Sequence, residues 1–67
     1  MGRKRLKEAR EMRNMSVREV AAEIGCSVQS VFAYESGSRT PKLDRMSRFA
    51  KLYDSTVEEL FLEGENV

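Results

Sequence analysis

Residues 16–37 constrain this chain more than any other stretch, because they hold two short helical patterns separated by little more than a corner. Ser16 is suited to cap a helix. Glu19, three residues on, completes the spacing of a capping box, in which each side chain bonds the other residue's backbone N–H. Val20, Ala21 and Ile24 then fall on one face at helical spacing. Gly25 can stop that helix in a left-handed conformation at little steric cost. After it, Ser27 is placed to cap a second helix whose apolar stripe is Val28, Val31 and Tyr34, with Ser36 and Gly37 ending it. The spacing predicts helices over residues 17–23 and 28–36, joined too tightly for a loose side-by-side hairpin. Helices of about two turns are not stable alone, so the flanking segments must complete a core.

Those flanks also read as helical. Residues 3–13 form the first pattern, with Leu6, Ala9 and Arg13 on one side, and Met12 and Met15 placed to close the inner surface. Asn14 follows as a residue that tolerates a left-handed cap. After a polar loop at 37–40, Thr40 is expected to cap a fourth helix with Pro41 at its first position, where the missing N–H is harmless. Leu43, Met46, Phe49, Ala50 and Tyr53 give this helix, ending near Leu52, a wide apolar stripe. Thr56 and Glu59 form another possible capping box, and Val57, Leu60 and Phe61 begin a fifth short helix. Short connections between helices alone predict a compact all-α fold, read as a single domain over 1–67 with its core at about 4–61 and short flexible termini.

Composition excludes several functions. With no histidine and one cysteine, the chain offers neither a Cys/His metal site nor imidazole acid–base chemistry, so no catalytic residue, metal or cofactor is expected. Cys26 reads as a small buried hydrophobe in a reducing compartment, and a cytoplasmic location is expected. No run approaches the roughly 18 apolar residues of a membrane span, and no signal core follows the basic start. Net charge is only +1, but it is unevenly placed. Residues 1–13 hold six basic against two acidic residues and residues 38–53 five against one, whereas 54–67 hold five acidic and no basic ones. Two basic blocks therefore flank the helical pair, as a nucleic-acid-binding surface requires.

Leu6-Lys7-Glu8-Ala9-Arg10, Ser16-Val17-Arg18-Glu19-Val20-Ala21, Ile24-Gly25-Cys26-Ser27, Val31, Tyr34-Glu35-Ser36-Gly37 and Pro41 together closely resemble the Cro/C1-type (XRE-like) helix-turn-helix family of phage repressors and bacterial regulators. The resemblance covers about residues 4–61. It implies a compact five-helix, lambda-repressor-like domain whose third helix enters the major groove of double-stranded DNA. It further implies a homodimer on a pseudo-palindromic operator. By the same resemblance Ser27, Val28, Gln29 and Ala33 lie on or near the reading surface, Phe32 borders it, and Arg10 pairs with Glu35. Departures from the family pattern are Val17 and Val28 in place of polar residues, and Asn14 and Asp54 in place of glycines. An apolar contact between Val17 and Val28 would replace the lost hydrogen bonds.

Side-chain chemistry adds its own argument. Gln29 offers the paired donor and acceptor that adenine N6 and N7 require, and Val28 or Ala33 suits a thymine methyl. Val28 fits the core equally well, and Phe32 fits DNA, the fourth helix or a second protein. Ser27, Ser30, Ser38, Thr40, Arg10, Arg18, Arg39 and Lys42 are candidates for phosphate contacts, with Arg3, Lys4 and Arg5 as an N-terminal arm. Val57, Leu60, Phe61 and Leu62 crowd one short segment; either some of them face a second copy of the chain, or three are core and one is exposed. The implied function is a sequence-specific DNA-binding transcriptional regulator, with repression the expected sense and no small-molecule ligand or membrane involved. The alternative is a protein-interaction or antitoxin-like module that uses the same fold with weak DNA readout.

Overall fold

In the computed structural model, which describes residues 2–62, the chain is all-helical: α1 (Lys4–Met12), α2 (Val17–Ile24), α3 (Val28–Ser36), α4 (Leu43–Leu52) and a short fifth helix, α5 (Glu58–Leu62), wound as a π-helix. The capping box at α2 is complete. Ser16 Oγ accepts from the Glu19 amide at 3.1 Å, and the Glu19 carboxylate accepts from the Ser16 amide at 2.8 Å. Gly25 ends α2 in the left-handed region at φ 86°, which sends the chain round the corner into α3. Asn14 and Asp54 also adopt left-handed conformations, at φ 55° and 52°. Both residues have short polar side chains that can hydrogen-bond the local backbone, which makes this region accessible to Asn and Asp.

Helix α2 packs on α3 and α4, and α1 packs on α3 and α5. Leu6, Val20, Ile24, Val31 and Phe49 are fully buried where these helices meet. Phe49 is the hub. Its ring meets Tyr34 edge-on at 6.0 Å between centroids, Tyr53 at 5.9 Å and Phe61 edge-on at 5.7 Å. Such offset and T-shaped pairs add to the area term of burial. Cys26, Val17 and Val28 are half-buried at the margin of this core.

Four expectations are corrected here. Helix α4 begins at Leu43, not at Pro41, and Thr40 does not cap it: Thr40 Oγ1 accepts a hydrogen bond from Arg3 instead, and Lys42 precedes the helix without any side-chain cap. Met12 and Leu43, both assigned inward, are strongly exposed. Each lies six residues from the centre of its helix's buried face, Leu6 or Phe49, which on a 3.6-residue turn is about 120° away from it. Leu60 and Phe61, taken as possible dimer contacts, are buried in this chain's own core, and Val57 packs against them half-buried. Of that group Leu62 stays 53% exposed. The capping box expected for α5 is half formed: the Glu59 amide donates to Thr56 Oγ1, but Ser55 Oγ has taken the Glu59 carboxylate.

Because Phe49 joins the aromatic side chains of three segments, Phe49→Ala is expected to cost about 3–5 kcal/mol. That is comparable with the whole stability of a small domain, about 5 kcal/mol at the lower end. Urea denaturation followed by circular dichroism should find that the variant has lost most of the parent's stability, with its midpoint moved to low urea. A loss below about 1 kcal/mol would contradict the hub role.

Candidate nucleic-acid interface

Helix α3 has two sharply different sides. Ser30, Val31, Tyr34 and Glu35 are buried, whereas Gln29 and Ser36 are exposed, Phe32 is 55% exposed and Ala33 is half-buried. Gln29, Phe32, Ala33 and Ser36 follow the i, i+3, i+4, i+7 spacing of one helical face. Val28 sits between the two sides, half-buried against the core.

The inward side is fixed by arginines from other elements. Arg10 of α1 grips Glu35 with a two-pronged fork: Nε donates to Oε2 at 2.7 Å and Nη2 to Oε1 at 3.2 Å, while Nη1 donates to the Met15 carbonyl at 3.2 Å. The two side chains are only 13% and 7% exposed. The hydrogen bond to Glu35 raises the Arg10 pKa above its ordinary value in spite of desolvation. Beside them the Tyr53 hydroxyl is buried with no hydrogen-bond partner among the described residues. Burial, reinforced by the Glu35 charge and opposed by Arg10, pushes its pKa well above the usual tyrosine value. Arg45 of α4 donates to the Tyr34 hydroxyl at 2.9 Å, and Arg48 donates to the Ile24 carbonyl at 3.1 Å, closing the end of α2.

The start of α3 is capped by Ser27, whose Oγ accepts from the Ser30 amide and donates to Ser30 Oγ, both at 3.0 Å. At the other end Gly37, at φ 85°, turns the chain into a loop. Ser38 folds back there, its Oγ within 3.1 Å of Ser36 Oγ and donating to the Ala33 carbonyl at 3.4 Å. Arg39 lies along the helix: its guanidinium is 5.7 Å from the centre of the Tyr34 ring and donates to Ser30 Oγ at 3.3 Å. Arg18, Ser27, Arg39, Thr40 and Lys42 are all exposed.

Two phosphate candidates are corrected. Arg10 is committed to Glu35 and Met15 and lies mostly buried, so it holds the fold together and does not face a ligand. Ser30 is buried beneath Ser27 and Arg39. The N-terminal arm also divides. Lys4 and Arg5 are exposed on α1, but Arg3 is buried against the end of α3. The structural roles of Arg3, Arg45 and Arg48 are invisible to local pattern, because their partners lie 11 to 37 residues away.

An exposed helical face following a tight glycine corner, with basic residues in the next loop, defines a helix-turn-helix domain of the kind that presents a helix to DNA. A profile of the helix-turn-helix family matches residues 6–60. The chain belongs to that family, in its Cro/C1-type (XRE-like) branch. It is 33% identical over 61 residues to the cryptic phage CTXphi transcriptional repressor RstR of Vibrio cholerae, covering 91% of this chain and 55% of RstR. It is 38% identical over 56 residues to the HTH-type transcriptional regulator AnsR of Bacillus subtilis, covering 84% of this chain and 48% of AnsR. An uncharacterised HTH-type transcriptional regulator of Archaeoglobus fulgidus is 29% identical over 63 residues, 94% of this chain and 89% of that protein. The chain thus spans about half the length of the first two relatives and most of the archaeal one. No solved structure gives a significant match. Among the described residues no helix is long and apolar enough to cross a membrane.

Removing one partner of the pair between Arg10 and Glu35 strands the other charge in a mostly dry site. Glu35→Ala is expected to destabilise the fold by about 3 kcal/mol, while the double replacement Arg10→Met with Glu35→Leu recovers much of that loss. Urea titration of the two variants and the parent checks this. A single variant as stable as the parent would show that the pair contributes nothing.

Proposed function

We propose that this chain is a sequence-specific double-stranded DNA-binding regulator of transcription, acting in the cytoplasm as a repressor, that inserts α3 into the major groove. The observation that carries the reading is the outward side of α3. Gln29 and Phe32 stand exposed on a helix whose opposite side is buried, next to a loop bearing Arg39 and Lys42. A helix fits the major groove, where Gln29 can pair with adenine N6 and N7 while Val28, Phe32 and Ala33 meet thymine methyls. Arg18, Ser27, Ser38, Arg39, Thr40 and Lys42 would hold phosphates, positioning the duplex without reading it. RstR is described as a transcriptional repressor, which supports the same sense of regulation here.

The operator would be pseudo-palindromic and bound by a homodimer, with half-sites about one helical turn apart. Leu62 is the exposed apolar residue left to the contact between copies, since Leu60 and Phe61 are occupied by the core.

Selection of duplexes from a random pool tests the reading. The parent should enrich one motif, and Gln29→Ala should relax a single position of it, losing about 1–3 kcal/mol of discrimination there. Lys42→Ala should instead weaken binding to all sequences and reduce the slope of log affinity against log salt by about 0.9. Uniform weakening by Gln29→Ala would remove it from the base-reading set. A parent that enriches no duplex would favour a protein-interaction role for the exposed side of α3.

A further inference from the structure

Arg3 is the least expected buried charge in the molecule. It lies next to the chain start, carries no capping bond of its own, and is only 9% exposed. Its guanidinium spans two elements. Nη1 donates to the Tyr34 carbonyl at 2.7 Å and the Arg39 carbonyl at 2.9 Å, and Nη2 donates to Thr40 Oγ1 at 2.7 Å. Its backbone N–H donates to the Glu35 carbonyl at 2.7 Å, and its guanidinium carbon lies over the Phe61 ring, 5.7 Å from the ring centre. Gly2 permits this approach, since a Cβ there would stand 3.2 Å from the Glu35 carbonyl oxygen.

The acceptors show what is being held. Tyr34 and Glu35 carbonyls belong to the last turn of α3, which leaves carbonyls without helical partners and favours a nearby cation. Arg39 and Thr40 belong to the loop that supplies proposed phosphate contacts. One side chain therefore ties the end of the exposed helix to the loop beside it. A planar guanidinium can bridge three divergent acceptors, whereas an ammonium is a point charge.

We propose that Arg3 is a positioning residue for DNA binding: it sets the place of the loop at 38–42 relative to α3, so that base reading and phosphate grip engage together, and does not itself touch the duplex. This rests on the DNA-binding reading above. It assigns Arg3 a role opposite to that of a flexible basic arm, which would contribute charge directly.

The test compares the parent with Arg3→Lys, which keeps the charge and loses the fork, and with Arg3→Ala, each alone and with Arg39→Ala, using the duplex enriched by the parent. Affinities are measured below the unfolding range of every variant. Amide hydrogen exchange is measured at Arg39, whose N–H donates to the Ala33 carbonyl at 3.2 Å and so reports whether the loop is docked. Arg3→Lys should speed exchange at Arg39 and lower affinity on the order of tenfold with the salt slope unchanged, and the loss should shrink when Arg39 is already alanine, as coupled sites require. Arg3→Lys that restores parental affinity, together with a salt slope lowered by about 0.9 in Arg3→Ala, would make Arg3 a direct phosphate ligand and overturn the proposal. Unchanged exchange at Arg39, or additive losses, would overturn it too. Failure of the DNA reading would show separately, as a parent that enriches no duplex before any variant is made; the positioning role would fall with it.

Discussion

A nine-residue helix has too few hydrogen bonds to stand by itself, and α3 exists because its inner side is held from several directions. Phe49 backs Tyr34 edge-on, Arg10 clamps Glu35, Arg45 reaches the Tyr34 hydroxyl, and Arg3 closes the final turn. Everything proposed for the outer side follows from this. Once Val31, Tyr34 and Glu35 are locked inward, helical geometry leaves Gln29, Phe32, Ala33 and Ser36 no other direction than outward. The ion pair has a second consequence. A two-pronged guanidinium–carboxylate contact fixes angle as well as distance, so α1 sets the rotation of α3 about its own axis.

The arginines divide into two populations that sequence counts combine. Arg3, Arg10, Arg45 and Arg48 each hydrogen-bond a distant part of the chain. Arg18 and Arg39 lie exposed around the helical pair, as does Lys42. A basic block in the sequence is therefore not the same as a basic surface. Four of the eleven basic residues in 1–13 and 38–53, namely Arg3, Arg10, Arg45 and Arg48, tie separate segments together, and guanidinium suits this because its donors form a rigid fork and its charge is weakly hydrated.

Features with local causes were legible in the sequence. The capping box at Ser16 and Glu19, the left-handed Gly25, the Ser27 cap and the left-handed Asn14 depend on neighbours within a few residues, and each stands in the structure. The apolar stripes of α2 and α3 also follow from period alone. What the sequence concealed depends on distant partners. Thr40 has the spacing of a cap, yet a guanidinium 37 residues away takes its hydroxyl. Ser30 and Arg10 look like phosphate ligands by residue type, but the first is covered and the second is paired. At 62 the chain leaves a leucine outside, and only the packing of Leu60 and Phe61 shows which of three neighbours it is.

The most direct measurement is backbone amide NMR of the labelled chain titrated with its enriched duplex. The account predicts that the largest shift changes fall on residues 27–33 and 38–42, with the buried residues of α1 and α5 moving little. Changes concentrated on α1 or α5, with Gln29 and Phe32 undisturbed at saturation, would contradict it.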